Sequence, residues 1–174
     1  VQYRLFGRLE LTMDLSAFKA YDIRGRIPDQ LNVELAEQIG LAYAAWLKPS
    51  NVIVGHDIRL TSPELAEALI SGLRKAGVNC HFIGECGTEE VYFATDFYVM
   101  DGGIMVTASH NPKDFNGMKF VRENIKPVSG DDGLAEIESL IREGALGAYQ
   151  SEETGSLDSL DHRKDYIAHL LSYV

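Results

Sequence analysis

The stretch Gly103-Ile104-Met105-Val106-Thr107-Ala108-Ser109-His110-Asn111-Pro112-Lys113-Asp114-Phe115-Asn116-Gly117-Met118-Lys119-Phe120-Val121-Arg122 decides how this chain is read. Ile104, Met105 and Val106 form an apolar run with the length and composition of a buried strand. The run gives way to Thr107-Ala108-Ser109-His110-Asn111-Pro112, where small and polar residues replace bulky ones. Asn-Pro signals a turn, and Pro112 also biases Asn111 away from helix. After Asn116-Gly117, a hairpin-like dipeptide, a second short run begins at Met118 and carries Lys119. A serine and a histidine thus lie on a tight loop off a strand end, with a lysine returning nearby. Open α/β sheets place their chemistry there. Turn chemistry alone also accounts for a Ser-His pair, and by spacing alone it is the favoured reading.

Upstream, the chain alternates short apolar runs with helical periodicity. Val33 to Leu47 reads as a helix capped by Asn32, with Leu35, Ile39, Ala42, Tyr43 and Trp46 on one face and Pro49 beyond its end. Val52-Ile53-Val54-Gly55 reads as a buried strand leading into His56-Asp57-Ile58-Arg59, where an Asp57–Arg59 interaction is expected to stabilise the loop and His56 to be a loop histidine. Ser62-Pro63-Glu64 has the marks of a helix start, with Ser62 as cap, Leu65, Leu69, Ile70 and Leu73 inward, and Gly77 as the stop. A second core strand follows from Val78 to Ile83, its His81 either partnered or exposed. Gly87-Thr88-Glu89-Glu90 opens a third helix, to about Val99, with Tyr92, Phe93 and Phe97 as its core face. This β-α-β-α-β rhythm marks an α/β sheet with crossover helices. The gap from Ile104–Val106 to Met118–Val121 is too short for a helical crossover, so that pair is expected to be antiparallel. The fold class is therefore α/β: a three-layer α/β/α domain with a mixed, mainly parallel sheet.

Bulk properties narrow the function. In 174 residues, 45% hydrophobic, there is enough apolar material for a sizeable core. Sixteen Lys and Arg against 26 Asp and Glu leave a net charge of −10, which argues against a nucleic-acid or anionic-membrane partner. Any phosphate ligand must be met by locally placed cations. Cys80, in an apolar run, and Cys86, in a polar turn, form no metal or disulfide framework and read as free thiols of a reducing compartment. No stretch approaches a membrane span and no secretion signal is recognisable, so a cytoplasmic protein is expected.

Thr107-Ala108-Ser109-His110-Asn111-Pro112 followed by Asn116-Gly117-Met118-Lys119 closely resembles the active-serine loop of the α-D-phosphohexomutases, the phosphomannomutase/phosphoglucomutase family. The resemblance extends to Tyr21-Asp22-Ile23-Arg24-Gly25 and to Gly55-His56-Asp57-Ile58-Arg59. Without it, the favoured reading of Arg24 is a surface ion-pair residue. The resemblance implies that Ser109 carries a phosphoryl group. It passes that group to a hexose monophosphate, forming a hexose 1,6-bisphosphate that reorients and returns the other phosphate. It further implies His110 and Lys119 as general acid, base or charge stabiliser, Arg24 as phosphate support, and Tyr21 and Asn111 as substrate contacts. The implied metal is Mg2+, held by the Ser109 phosphate together with ligands outside this chain, since no Asp-Gly-Asp-Gly-Asp loop occurs here. Ser109 to Lys119 with Val121-Arg122-Glu123, and Gly87-Thr88-Glu89-Glu90, look most like the bacterial phosphomannomutases that feed GDP-mannose synthesis. Phosphoglucomutase is the alternative within the family, and a non-catalytic phosphate-binding module the alternative outside it.

The expected organisation follows. Residues 1–15 read as an N-terminal extension or expression remnant, with an edge strand as a further reading of residues 1–12. Residues 16–145 correspond to the family's first domain, ending with a helix over Asp131 to Glu143 on Leu134, Ile137, Leu140 and Ile141. Residues 146–160 have linker composition, and 161–174 read as a helix opening a second domain. The partners implied are a phosphosugar and further domains of the same polypeptide. By itself this chain is expected to show no mutase turnover.

Overall fold

The computed structural model describes residues 14–174, and the strands and helices below are those of the described residues. In chain order they are β1 (Ile23–Arg26), α1 (Val33–Leu47), β2 (Asn51–His56), α2 (Ser62–Lys75), β3 (Asn79–Glu85), α3 (Thr88–Phe97), β4 (Gly102–Val106), β5 (Phe115–Arg122), β6 (Lys126–Pro127), α4 (Leu134–Glu143), β7 (Leu157–Ser159) and α5 (Arg163–Leu171). The strands make one mixed sheet in the order β1-β5-β4-β2-β3-β7, with β6 pairing β5. β4, β2, β3 and β7 run parallel, while β5 lies antiparallel between β4 and β1.

Side-chain alternation along the strands divides the core between two faces. Val52 and Val54 of β2, Ile104 and Val106 of β4, and Met118 and Phe120 of β5 join the residues of α1, α2 and α4. Ile53 and Met105, one step out of phase, pack with Ile83 and with Val91 and Ala94 of α3. Helices therefore cover both faces of a sheet whose central strands are buried, β4 throughout and β2 from Val52 onward. This is the three-layer α/β/α arrangement.

The helices follow their local chemistry. Asn32 caps α1, its side chain accepting from the Leu35 amide at 2.9 Å. Glu90 caps α3 by reaching back to the Gly87 amide at 2.8 Å. Tyr43, fully buried in α1, donates to the Val121 carbonyl at 3.2 Å, and burial pushes its phenol well above the usual range. Cys80 is a buried thiol, pushed up to about 12 by burial and so neutral at physiological pH.

Several expectations need correction. Residue 15 does not belong to an extension: Leu15 lies in the core. Residues 1–12, expected as an extension, an expression remnant or an edge strand, lie outside the described residues. Asn116-Gly117 is not a hairpin turn but part of β5, because the Asn116 side chain is buried on hydroxyls of the α2 start and Gly117 faces the Ile23 carbonyl of β1. Ser62 does not cap α2; it lies inside the helix, its hydroxyl drawn to Asp57. His56 is not a loop residue but the buried end of β2, stacked on Phe82 at 5.7 Å between centroids. Cys86 is sheltered rather than solvated, close beneath Gly55. Phe97 turns outward, half exposed, though stacked on Phe93.

The segment 146–160 is not structureless either. It opens with a 3-10 turn (Leu146–Tyr149) that buries Leu146, and it ends in β7. Gly155 donates to the Arg74 carbonyl, Ser156 to Asn79 Oδ1, and Cys80 to the Ser156 carbonyl. The open edge of β3 supplies backbone partners that a polar, glycine-containing segment can meet. Beyond it, α5 is tied to α3 through Tyr166 against Phe93, Tyr98 donating to Asp165 at 2.7 Å, and His162 bonded to Glu90 at 2.7 Å. Ile167, Leu170 and Leu171 of α5 are exposed.

α1 and α2 approach closely because each offers a glycine to the other. A methyl on Gly40 would meet the Leu69 carbonyl, and one on Gly72 the Glu37 carbonyl, both well inside contact distance. Helix propensity alone would make Gly72→Ala stabilising by about 1 kcal/mol. The crossing predicts the opposite sign: a loss of about 2–3 kcal/mol in urea denaturation, as overpacking forces the helices apart. A Gly72→Ala protein as stable as its parent would contradict this packing.

Candidate active site

The loop after β4 is built by the residues around it. Thr107 continues the ladder by donating its amide to the Gly117 carbonyl at 2.9 Å. Its buried hydroxyl donates to Asp57 Oδ2 at 2.7 Å and accepts from the Ser109 amide at 2.9 Å. Asp57, one residue past the end of β2, donates its amide to the Val106 carbonyl at 3.0 Å, so the two strand-end loops are fastened side by side. Asp57 Oδ1 also accepts from Ser62 Oγ at 2.5 Å and from the Arg59 amide at 3.0 Å. Asn116, fully buried, donates to Thr61 Oγ1 at 2.8 Å and Ser62 Oγ at 2.9 Å.

Ser109 emerges from this network exposed, with φ +53. A non-glycine residue in the left-handed region is strained unless its neighbours hold it, and such strain clusters at functional sites. The Ser109 hydroxyl stands 3.4 Å from His110 Nδ1, a long contact for a hydrogen bond between these atoms. Asn111 closes the turn: its amide and its side-chain Nδ2 both donate to the Ala108 carbonyl at 3.0 Å.

The other expected site residues come from β1 and β5. Arg24 pairs with Asp22 Oδ2 at 2.8 Å, and Lys119 Nζ reaches the same oxygen at 3.3 Å. Asp22 is 6% exposed, so one nearly buried carboxylate serves two cations and the cluster keeps a net positive charge. In the strand register Arg24 lies opposite Gly117, which accepts from Thr107, while Lys119 lies opposite Met105. Both cations are therefore within two residue rows of the point where the Ser109 loop leaves the sheet. Tyr92, on α3, has its phenol pushed up by burial and by the charges of Asp22 and Glu89. Tyr21, adjacent to Asp22 in sequence, is 82% exposed.

Cys86 offers no competing nucleophile. Burial pushes its thiol up to about 12, with Glu90, Glu89 and Asp57 adding in the same direction, so it stays protonated near neutrality. The sequence pointed to Ser109, His110, Lys119 and Arg24. It gave no site role to Asp22, Thr107, Ser62 or Asn116. Their signal was adjacency alone, since each lies inside or beside a string already noted and is an ordinary loop residue by type.

Residues 15–147 match the model of the phosphoglucomutase/phosphomannomutase alpha/beta/alpha domain I. That stretch is most of the chain and contains the whole serine loop. The chain belongs to the phosphoglucomutase/phosphomannomutase family. It is 54% identical over 162 residues to a protein of Xanthomonas campestris pv. campestris (strain B100) described as phosphohexose mutases, covering 93% of this chain and 36% of that one. It is 51% identical over 160 residues to the phosphomannomutase of Salmonella typhimurium (strain LT2), with coverage of 92% and 35%. Among solved structures, a phosphoglucomutase/phosphomannomutase family protein from Burkholderia thailandensis superimposes with a TM-score of 0.80 at 33% identity, covering 92% of this chain and 36% of that one. The chain thus spans about a third of the length of these family members.

Within this family domain, the Thr107 hydroxyl is the hinge between Asp57 and the serine amide. Thr107→Val keeps the shape but leaves the Ser109 N–H without its acceptor and removes one donor from Asp57. We expect a loss of about 1–3 kcal/mol in chemical denaturation, with Thr107→Ser close to the parent. Equal stability of all three proteins would show that the hydroxyl does not hold the loop.

Proposed function

We propose that this chain is the serine-bearing domain of a phosphomannomutase, interconverting mannose 6-phosphate and mannose 1-phosphate through a phosphoserine and a hexose 1,6-bisphosphate. One observation carries the reading: Ser109 stands exposed in a held, left-handed conformation on a loop that leaves the sheet within two residue rows of Arg24 and Lys119, whose charge exceeds that of the Asp22 carboxylate they share. The phosphomannomutase descriptions of relatives near 50% identity support the choice of sugar. The double family name leaves phosphoglucomutase as the second reading.

Phosphoryl transfer needs an oxygen nucleophile in line and positive charge around the moving group. In this reading, the Ser109 Oγ–P bond breaks as a sugar hydroxyl oxygen bonds to phosphorus. The hydroxyl proton passes to a base and the Ser109 oxygen regains one. Reversal at the second phosphate restores the phosphoserine. Holding the phosphoryl on serine divides one displacement into two. Arg24 and Lys119 supply charge that a protein of net −10 otherwise lacks at such a site. His110, beside the serine oxygen, is the proposed proton carrier together with Lys119, and Tyr21 and Asn111 border the sugar.

Magnesium enters only through the phosphate on Ser109. Among the described residues no group of three His, Cys, Asp or Glu side chains is placed to hold a metal ion. Further domains of a longer polypeptide would complete the site, in keeping with the share of the relatives that this segment represents. No helix of the described residues is long and apolar enough to cross a membrane, and we place the enzyme in the cytoplasm with its phosphosugars.

Incubation with mannose 1,6-bisphosphate, followed by peptide mass spectrometry, tests the reading. We expect phosphate on Ser109 and none on the Ser109→Ala chain. Lys119→Ala should slow the transfer about a hundredfold. A chain that binds the bisphosphate but never carries phosphate on Ser109 would instead be an anion-binding module.

A further inference from the structure

Arg59 lies outside the set of residues proposed to touch substrate, yet its guanidinium meets the serine loop at four places. Nη2 donates to the carbonyls of Ser109 at 2.9 Å and Asn111 at 2.7 Å. Nη1 donates to those of Pro112 at 2.8 Å and Phe115 at 2.9 Å. The fifth donor, Nε, faces Asp57 Oδ2 at 3.4 Å. A guanidinium has five N–H donors in a rigid plane, and here all four Nη hydrogens are given to loop carbonyls while Nε lies beside the Asp57 carboxylate. No Nη donor is left to grip a phosphate.

We propose that Arg59 is the positioning residue of the phosphoryl-carrying serine: it fixes the 109–115 loop from beneath by its carbonyls and does not bind the phosphoryl group itself. The inference rests on the phosphoserine reading for its consequence, but on the clamp alone for its geometry. The planar fork spans the loop from Ser109 to Phe115 in a single side chain. Its ion pair with Asp57 ties the clamp to the carboxylate that, through Thr107, also holds the Ser109 amide. The peptide units on both sides of Ser109 are thus restrained from one source, the amide through Thr107 and the carbonyl by Arg59. That accounts for a serine resting at φ +53 without glycine's freedom. Lysine cannot substitute, because one ammonium has three donors at a single point and cannot reach four carbonyls in a plane.

Two measurements separate this from its rivals. In the unaltered chain, nitrogen-detected NMR of the Arg59 side chain should show distinct Nη proton signals, because rotation of a four-fold bonded guanidinium is arrested; one averaged signal would overturn the clamp whatever any variant does. In Arg59→Lys and Arg59→Gln chains, transfer from mannose 1,6-bisphosphate to Ser109 should slow about a hundredfold with its half-saturating concentration unchanged. A raised half-saturating concentration at an unchanged rate would assign Arg59 to phosphate binding and overturn the proposal, as would Arg59→Lys transferring at the parental rate. If the unaltered chain accepts no phosphoryl group, it is the phosphoserine reading that fails, and the guanidinium signals alone decide the clamp.

Discussion

Asp57 is the point on which the rest of this molecule's chemistry hangs. Its carboxylate accepts from Thr107, Ser62 and the Arg59 amide while facing the Arg59 side chain, and it lies where two parallel strands end side by side. Charge-assisted hydrogen bonds of this kind are the strong ones, and a network with every member satisfied is rigid. Through it, the start of α2, the end of β2 and the loop after β4 become one unit. A serine in that loop inherits its position from the whole unit rather than from its neighbours in sequence.

The sheet makes this arrangement available. Parallel β2 and β4 deliver their following loops to the same edge, the usual place for a site in an open α/β fold. Antiparallel β5 returns alongside β4 and brings Lys119 back toward that edge, while β1, paired on its far side and running the same way as β4, brings Arg24. Asp22 then holds the two cations together. A phosphate dianion approaching an acidic protein needs such a local reversal of sign. Among the described residues one carboxylate, Asp22, serves the pair, so the cluster keeps a positive charge.

Much of this was legible in the sequence because it depends on local signals. Asn32 and the spacing of Leu35, Ile39 and Tyr43 place α1 to the residue, since caps and apolar stripes act over a few positions. The short interval between β4 and β5 dictates their antiparallel pairing. The misses share a cause. Asn116-Gly117 has hairpin chemistry in isolation, and only the burial of Asn116 against the α2 start makes it strand. Ser62 looks like a cap until a carboxylate from the preceding loop claims its hydroxyl. β7 is three polar-flanked residues that become a strand because β3 offers an edge. For the site, the string around Ser109 named the serine. Arg59, by contrast, reads as one side of a local ion pair, while its four carbonyl acceptors lie 50 or more residues away in sequence. Contacts at that range have no periodicity to betray them.

The central claim is that Ser109 is held, not merely exposed. Native-state hydrogen exchange at its amide, followed by NMR, tests this most directly. The account predicts exchange slowed on the order of a hundredfold relative to an unstructured peptide, because the N–H is given to Thr107 within a fastened loop. Exchange of the Ser109 amide at the unstructured rate, beside protected amides in β4, would contradict it.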